Sequence, residues 1–194
     1  MDDLETQITD EVAAITGFLE QQLGRRSRWN GEVELSDDPT AFGKALWNGR
    51  ISINRQTAQT DLRWRTEIHE ALHLLSAGLT PTSYIDFEGW EEGVVEQLQR
   101  LLRPAVLNAL AVVVPNSVFV AVEAHHDYNR FIQALERIRA EVSTPPFAFY
   151  RDLLGTPLAA RPSSVIQLGR QLPAREFRRF QKQFAGAFTV LRGD

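Results

Sequence analysis

From Asp61 to Ala77 the chain reads DLRWRTEIHEALHLLSA, with Ile68, Leu72 and Leu75 at the spacing that gives an α-helix one apolar stripe. Gly78 follows where a helix commonly stops, in the position that tolerates a left-handed backbone. His69, Glu70 and His73 ride on this helix within the pentapeptide HEALH. Residues four apart are offset by about 40° around the axis, so the two imidazoles project from one face on successive turns. So placed, each can give one nitrogen to a tetrahedral ion at ~2.0–2.1 Å. Glu70 is rotated about 100° from His69, off the ligand seam but able to reach a water on the ion. The pattern therefore demands a helix packed on its apolar side and open to a cleft on the other. The bland alternative is an amphipathic helix that carries two histidines on a solvated face.

The rest of the sequence narrows the chemistry. There is no cysteine, which excludes disulfides, thiolate chemistry and cysteine-based zinc fingers, so a metal would be held by His, Asp or Glu. The net charge of −4 carries no basic excess of the kind that marks a nucleic-acid binder. The short basic runs QLGRRSR and EFRRFQK read as solvated helix ends. Phosphate-cradling glycine loops and the G-x-S-x-G nucleophile turn are missing. The N-terminus, MDDLETQITDEV, is acidic and lacks the basic and apolar regions of a signal peptide, and the longest apolar run is broken at Pro115, Asn116 and Ser117. The expectation is a cytoplasmic protein with no membrane or nucleic-acid partner; the oligomeric state stays open.

With 43% hydrophobic residues over 194 positions, one domain with a real core is expected across 1–194. Three parts divide it: an N-terminal helix and sheet at 1–60, the ligand-bearing helices at 61–113, and a helical C-terminal part at 114–194. Apolar positions from Leu4 to Leu23 keep a helical period. Asn30–Leu35 and Gly49–Asn54 alternate as strands do. LTPTSYIDFEG reads as a connection, Trp90–Leu102 as a helix closed by Pro104, with a further helical stretch to Val113. Asp127–Val142 is an amphipathic helix broken by STPPFAFY, and the last helix runs from about Ala174 to Phe188. Strands at the front and helices behind them predict an α+β fold. The tryptophans at 29, 47, 64 and 90 are expected to line core and cleft.

Counting from His73, eighteen residues separate it from Glu92, which lies in Trp90-Glu91-Glu92-Gly93. This arrangement resembles the gluzincin zinc metallopeptidases, whose pattern is H-E-x-x-H, eighteen residues, then Glu. In the aminopeptidase branch the third-ligand segment typically reads W-L-N-E-G-F-A. The resemblance implies a zincin-like fold of minimal size with a small mixed sheet beside the HEALH helix, with zinc bound by His69, His73 and Glu92 and with Glu70 as general base. Glu91 is the rival ligand by position; the Gly that follows favours Glu92. Glu96, one turn further on, matches the acidic residue that in gluzincins often fixes a ligating histidine. Gluzincins also supply a His or Tyr downstream to the transition-state oxyanion, and the segment AHHDYNRF offers Tyr128 first and His126 second. An edge strand for extended substrate is expected beside the helix, and GRISIN is a candidate for it or for an interior strand.

The resemblance is confined to Trp64 through about Leu98. The G-x-M-E-N-type segment that anchors a substrate's free amine in the large aminopeptidases is absent, since the one methionine is Met1. The expectation is thus an endopeptidase, hydrolysing peptide or protein substrates through a metal-activated water. A second reading stands beside it: a zincin fold kept as a regulatory or structural module, of the kind carried by phages or mobile elements, with restricted or no proteolysis.

Overall fold

The computed structural model describes residues 3–192. The apolar period near the N-terminus forms helix α1 (Asp3–Leu23), which buries Ile8, Val12, Ile15 and Leu19. Three strands follow, β1 (Val33–Ser36), β2 (Gly43–Ala45) and β3 (Ile51–Asn54). They form a small mixed sheet in the order β1-β3-β2. β1 runs parallel to β3 with Val33 opposite Ile51, while β2 runs antiparallel with Gly43 opposite Ile53. All four residues of β3 are buried. The helices α2 (Arg55–Ala58) and α3 (Arg63–Leu75) come next, and every later element is helical. The fold is α+β.

The choice left open for GRISIN is decided here, and two expectations are corrected. GRISIN is the central strand, with main-chain partners on both sides, so it is not the sheet edge; β2, which lacks β-branched residues and left no alternating signal, is one of the two edges. The stretch read as a connection is helical from Pro81, at the head of α4 (Pro81–Ala109). Thr80 and Ser83 cap it reciprocally: the Thr80 Oγ1 accepts from the Ser83 N–H at 3.1 Å, and the Ser83 Oγ accepts from the Thr80 N–H at 2.9 Å. Pro81 takes the first helical position, where its missing N–H costs nothing. Phe87 departs from helical geometry (φ −136°, ψ 31°) and kinks the element. Nor does Pro104 close the helix. It lies on the exposed side, while Leu102, Val106 and Leu107 continue the buried stripe past it. Of the tryptophans, Trp64 and Trp90 are buried, Trp29 is half-buried and Trp47 is exposed.

The chain forms two compact units. One comprises the residues through Leu75 with Gln99–His125. In it α1 packs on α3 and β1, and α3 packs on β2 and β3. Ile68, Ala71, Leu72 and Leu75 of α3 are buried there, each large aliphatic contributing about 1.5–3 kcal/mol. Arg63 and Glu11 tie α3 to α1 through a mostly buried ion pair at 2.9 Å. Helix α5 (Ser117–Glu123) is joined through the Glu123–Arg103 ion pair, and the Arg103 guanidinium lies 4.0 Å from the Phe119 ring centroid.

The other unit comprises Ser76–Leu98 and the residues from His126 onward. It holds α6 (Asn129–Glu141), α7 (Pro146–Gly155), α8 (Arg161–Gly169) and α9 (Ala174–Leu191). The break after α6 is thus short, and FAFY belongs to α7. α6 packs along α9, whose Phe177, Phe180, Phe184 and Phe188 stack in series at 6.1, 5.8 and 5.7 Å. Within the unit α6 also meets the start of α4 closely. A Cβ at Gly93 would lie 2.9 Å from Leu135 Cδ1 and 3.0 Å from Phe131 Cβ. Among the described residues, no helix is long and apolar enough to cross a membrane.

Candidate metal centre

The α3 period carries His69 and His73 on one face and leaves both imidazoles buried. Their Nε2 atoms stand 3.2 Å apart, with the rings edge to face at 74°. Two nitrogens at ~2.0–2.1 Å from one tetrahedral ion are about 3.3 Å apart, so the pair already has the bite of such a site. Glu92 completes a group: one ligand atom from each of His69, His73 and Glu92 lies within 4.8 Å of the others, and all three residues are buried. Two neutral nitrogens and a carboxylate oxygen are a donor set that suits zinc and related divalent metals. A buried His69-His73-Glu92 group that can hold a metal ion is therefore present, and the donors fit the expected zinc.

Glu70 is buried beside them, and its Cγ would lie 3.1 Å from a Cβ placed on Gly43 of β2. The strand backbone thus runs directly over the glutamate. Only glycine permits this approach, because the same Cβ would come within 2.6 Å of Thr66 Cγ2.

The rivalry between Glu91 and Glu92 is resolved by a distant residue. Arg161, wholly buried at the start of α8, pairs with Glu91 Oε2 at 2.8 Å. It also donates to the Trp90 carbonyl at 2.9 Å and to Ser76 Oγ at 2.6 Å, while Ser76 donates to Glu91 at 2.8 Å. Glu91 is spent on this network; Glu92 joins the histidines. Glu96 is wholly buried, which rules out a solvated surface role for it.

His126 and Tyr128 form a pair of their own at the head of α6. Their rings meet edge to face at 4.7 Å, Tyr128 stacks on Phe131 at 6.0 Å, and both residues are half-buried. The Tyr128 N–H donates to His126 Nδ1 at 3.3 Å, so the neutral His126 ring carries its proton on Nε2.

One participant escaped the sequence reading. The Tyr84 hydroxyl donates to Glu92 Oε1 at 2.6 Å. Burial pushes this phenol far above its ordinary pKa, with the Glu92 charge second and Tyr128 and Glu88 adding to it. It stays a neutral donor. Tyr84 sits in the stretch mistaken for a connection, and eight residues of straight helix would turn it about 80° away from Glu92. The signal that was legible is the Thr80-Pro81-x-Ser83 cap, which announces the helix; the Phe87 kink is not announced at all. Searched against protein families, curated proteins and solved structures, the chain finds no match.

Proposed function

We propose that the chain is a zincin-type zinc metallopeptidase of the gluzincin pattern, cutting within peptide chains. One observation carries the reading: His69, His73 and Glu92 form a buried ligand group with Glu70 next to His69 and under a sheet edge. Zinc held there supplies a Lewis acid and a water of near-neutral pKa. Glu70, buried next to His69, would serve as the base that accepts a proton from the attacking water as a new bond forms to the scissile carbonyl carbon. As the carbon–nitrogen bond breaks, Glu70 returns the proton to the departing amine. Tyr128, or His126 through its Nε2–H, donates to the carbonyl oxygen as it gains charge. Glu96 accepts the outward N–H of a ligating histidine and fixes its tautomer.

β2 supplies the substrate edge in place of GRISIN. The Asn54 N–H donates to the Phe42 carbonyl and the Leu46 N–H to the Arg50 carbonyl, which fixes the alternation of the antiparallel ladder. In that register the main-chain groups of Gly43 and Ala45 point away from β3. An extended peptide pairing with them runs past Glu70 without demanding any particular side chain there.

The test is metal analysis of purified protein, followed by peptide-library hydrolysis by wild type and Glu70→Gln. The expected result is stoichiometric zinc in both proteins and cleavage by wild type alone. Metal-loaded wild type that cleaves nothing the variant spares overturns the enzyme reading. Protein that takes up no zinc overturns the site.

A further inference from the structure

We propose that Tyr84 is a positioning residue that holds Glu92 to one-oxygen coordination of the metal. The inference rests on the zinc reading above and deepens it. A carboxylate can bind an ion through one oxygen or two, and the difference matters at a hydrolytic centre. Two oxygens from Glu92 fill a position that water and the substrate carbonyl need, whereas one leaves it open. Glu92 Oε1 is already engaged by the Tyr84 hydroxyl at 2.6 Å, within the range of a bond strengthened by a charged acceptor. One carboxylate oxygen of Glu92 lies within 4.8 Å of a nitrogen of each imidazole, and the proposal assigns the metal to the oxygen that Tyr84 does not hold.

Tyr84 is itself held. Its N–H donates to the Thr80 carbonyl at 2.9 Å, in the turn locked by the Thr80–Ser83 cap. Ser83 Oγ further bonds the Gly78 carbonyl at 3.0 Å. The Phe87 departure from helical geometry lies between Tyr84 and Glu92, in the segment whose turn sets how the phenol meets the carboxylate. Cap, kink and hydroxyl form one device. A carboxylate aimed at a metal is commonly hydrogen-bonded in this way by a neighbour, and losing the neighbour typically costs about 10–100-fold in metal affinity.

The experiment uses the full chain and zinc alone. Zinc affinity is measured for wild type and Tyr84→Phe by competition with a chromophoric chelator, and each protein is loaded with cobalt(II) for visible absorption. Tyr84→Phe is expected to bind zinc about 10–100-fold more weakly. Its cobalt bands are expected to lose intensity as Glu92 turns bidentate and the coordination number rises. In a Glu92→Ala background, Tyr84→Phe is expected to cost nothing further. Unchanged affinity with an unchanged cobalt spectrum overturns the proposal, as does an equal loss in the Glu92→Ala background. Should Tyr84→Phe not fold, X-ray absorption at the zinc edge of wild type decides: one carboxylate oxygen in the coordination shell upholds the role, two overturn it. Wild type that binds no zinc fails the underlying reading instead, and the two failures are told apart by that first measurement.

Discussion

Arg161 is the residue on which the ligand segment hangs. It is wholly buried, and its charge is balanced by Glu91, with the Trp90 carbonyl and Ser76 completing its bonds. Removing one partner of such a pair leaves an uncompensated buried charge, at a cost of about 3–5 kcal/mol. Arg161→Met is expected to lose that much in urea unfolding, and Arg161→Met with Glu91→Leu to recover at least half of it. Nothing in the local sequence separates Glu91 from Glu92 except the glycine after them, because the residue that claims Glu91 lies seventy positions away. Glu67 makes the opposite case. Burial pushes its carboxyl well above the usual carboxylate range, Glu11 adds to the shift and Arg63 opposes it. Its folded pKa is raised, so between the unfolded value of about 4.3 and the folded one the native state holds a proton that the unfolded state has released. Stability is then lost as pH rises through that window, by at most about 1.4 kcal/mol per unit. Glu67→Gln, which cannot ionise, is expected to raise the melting temperature of zinc-free protein at pH 7 and to change it little at pH 4. An equal gain at both values would rule out titration as the cause.

At the scale of elements, the legible ones are those whose apolar residues repeat along the chain. The stripe of α1 buries Ile8, Val12, Ile15 and Leu19, β3 buries Ile51 and Ile53, and α6 buries Phe131, Leu135 and Ile138. β2 was not legible, since three residues with a glycine at their head carry no period, and their pairing is dictated by β3. The glycine is nonetheless what lets β2 lie against α3. Gly43→Ala puts a methyl group against Thr66 and Glu70, and forcing it in is expected to cost about 1–3 kcal/mol. Because the strand must lift away from Glu70, kcat of the proposed hydrolysis should fall by more than the stability change explains, with zinc content intact. Retained kcat in a folded Gly43→Ala would remove β2 from the site. Gly93 follows the same logic on α4, where Phe131 and Leu135 of α6 occupy the space that a Cβ would need. The glycine beside Glu92 therefore has a packing reason that the motif alone does not reveal.

For the whole molecule, the α+β class and the buried His69-His73-Glu92 group were both expected from the sequence, the class from the order of periods and the group from the resemblance to the gluzincin pattern. Tyr84 did not, because its place depends on a cap and a kink that sequence spacing cannot measure. The ligand group has a thermodynamic consequence that reaches the entire fold. A ligand that binds the native state alone stabilises it by RT ln(1 + [L]/Kd), about 2.7 kcal/mol at a hundredfold excess over Kd. For a chain of this length each kcal/mol moves the melting temperature by about 2–4 °C, so zinc is expected to raise it by about 5–11 °C over chelator-treated protein. His73→Ala and Glu92→Ala should each lose most of that rise, since each removes one of the three buried residues that can hold the ion. Glu70→Gln should keep it while losing the proposed hydrolysis, since Glu70 is proposed as the base and stands outside the His69-His73-Glu92 group. A zinc-dependent rise that survives Glu92→Ala undiminished would mean that the metal binds elsewhere, and calorimetry on these four proteins with and without zinc reads the answer directly.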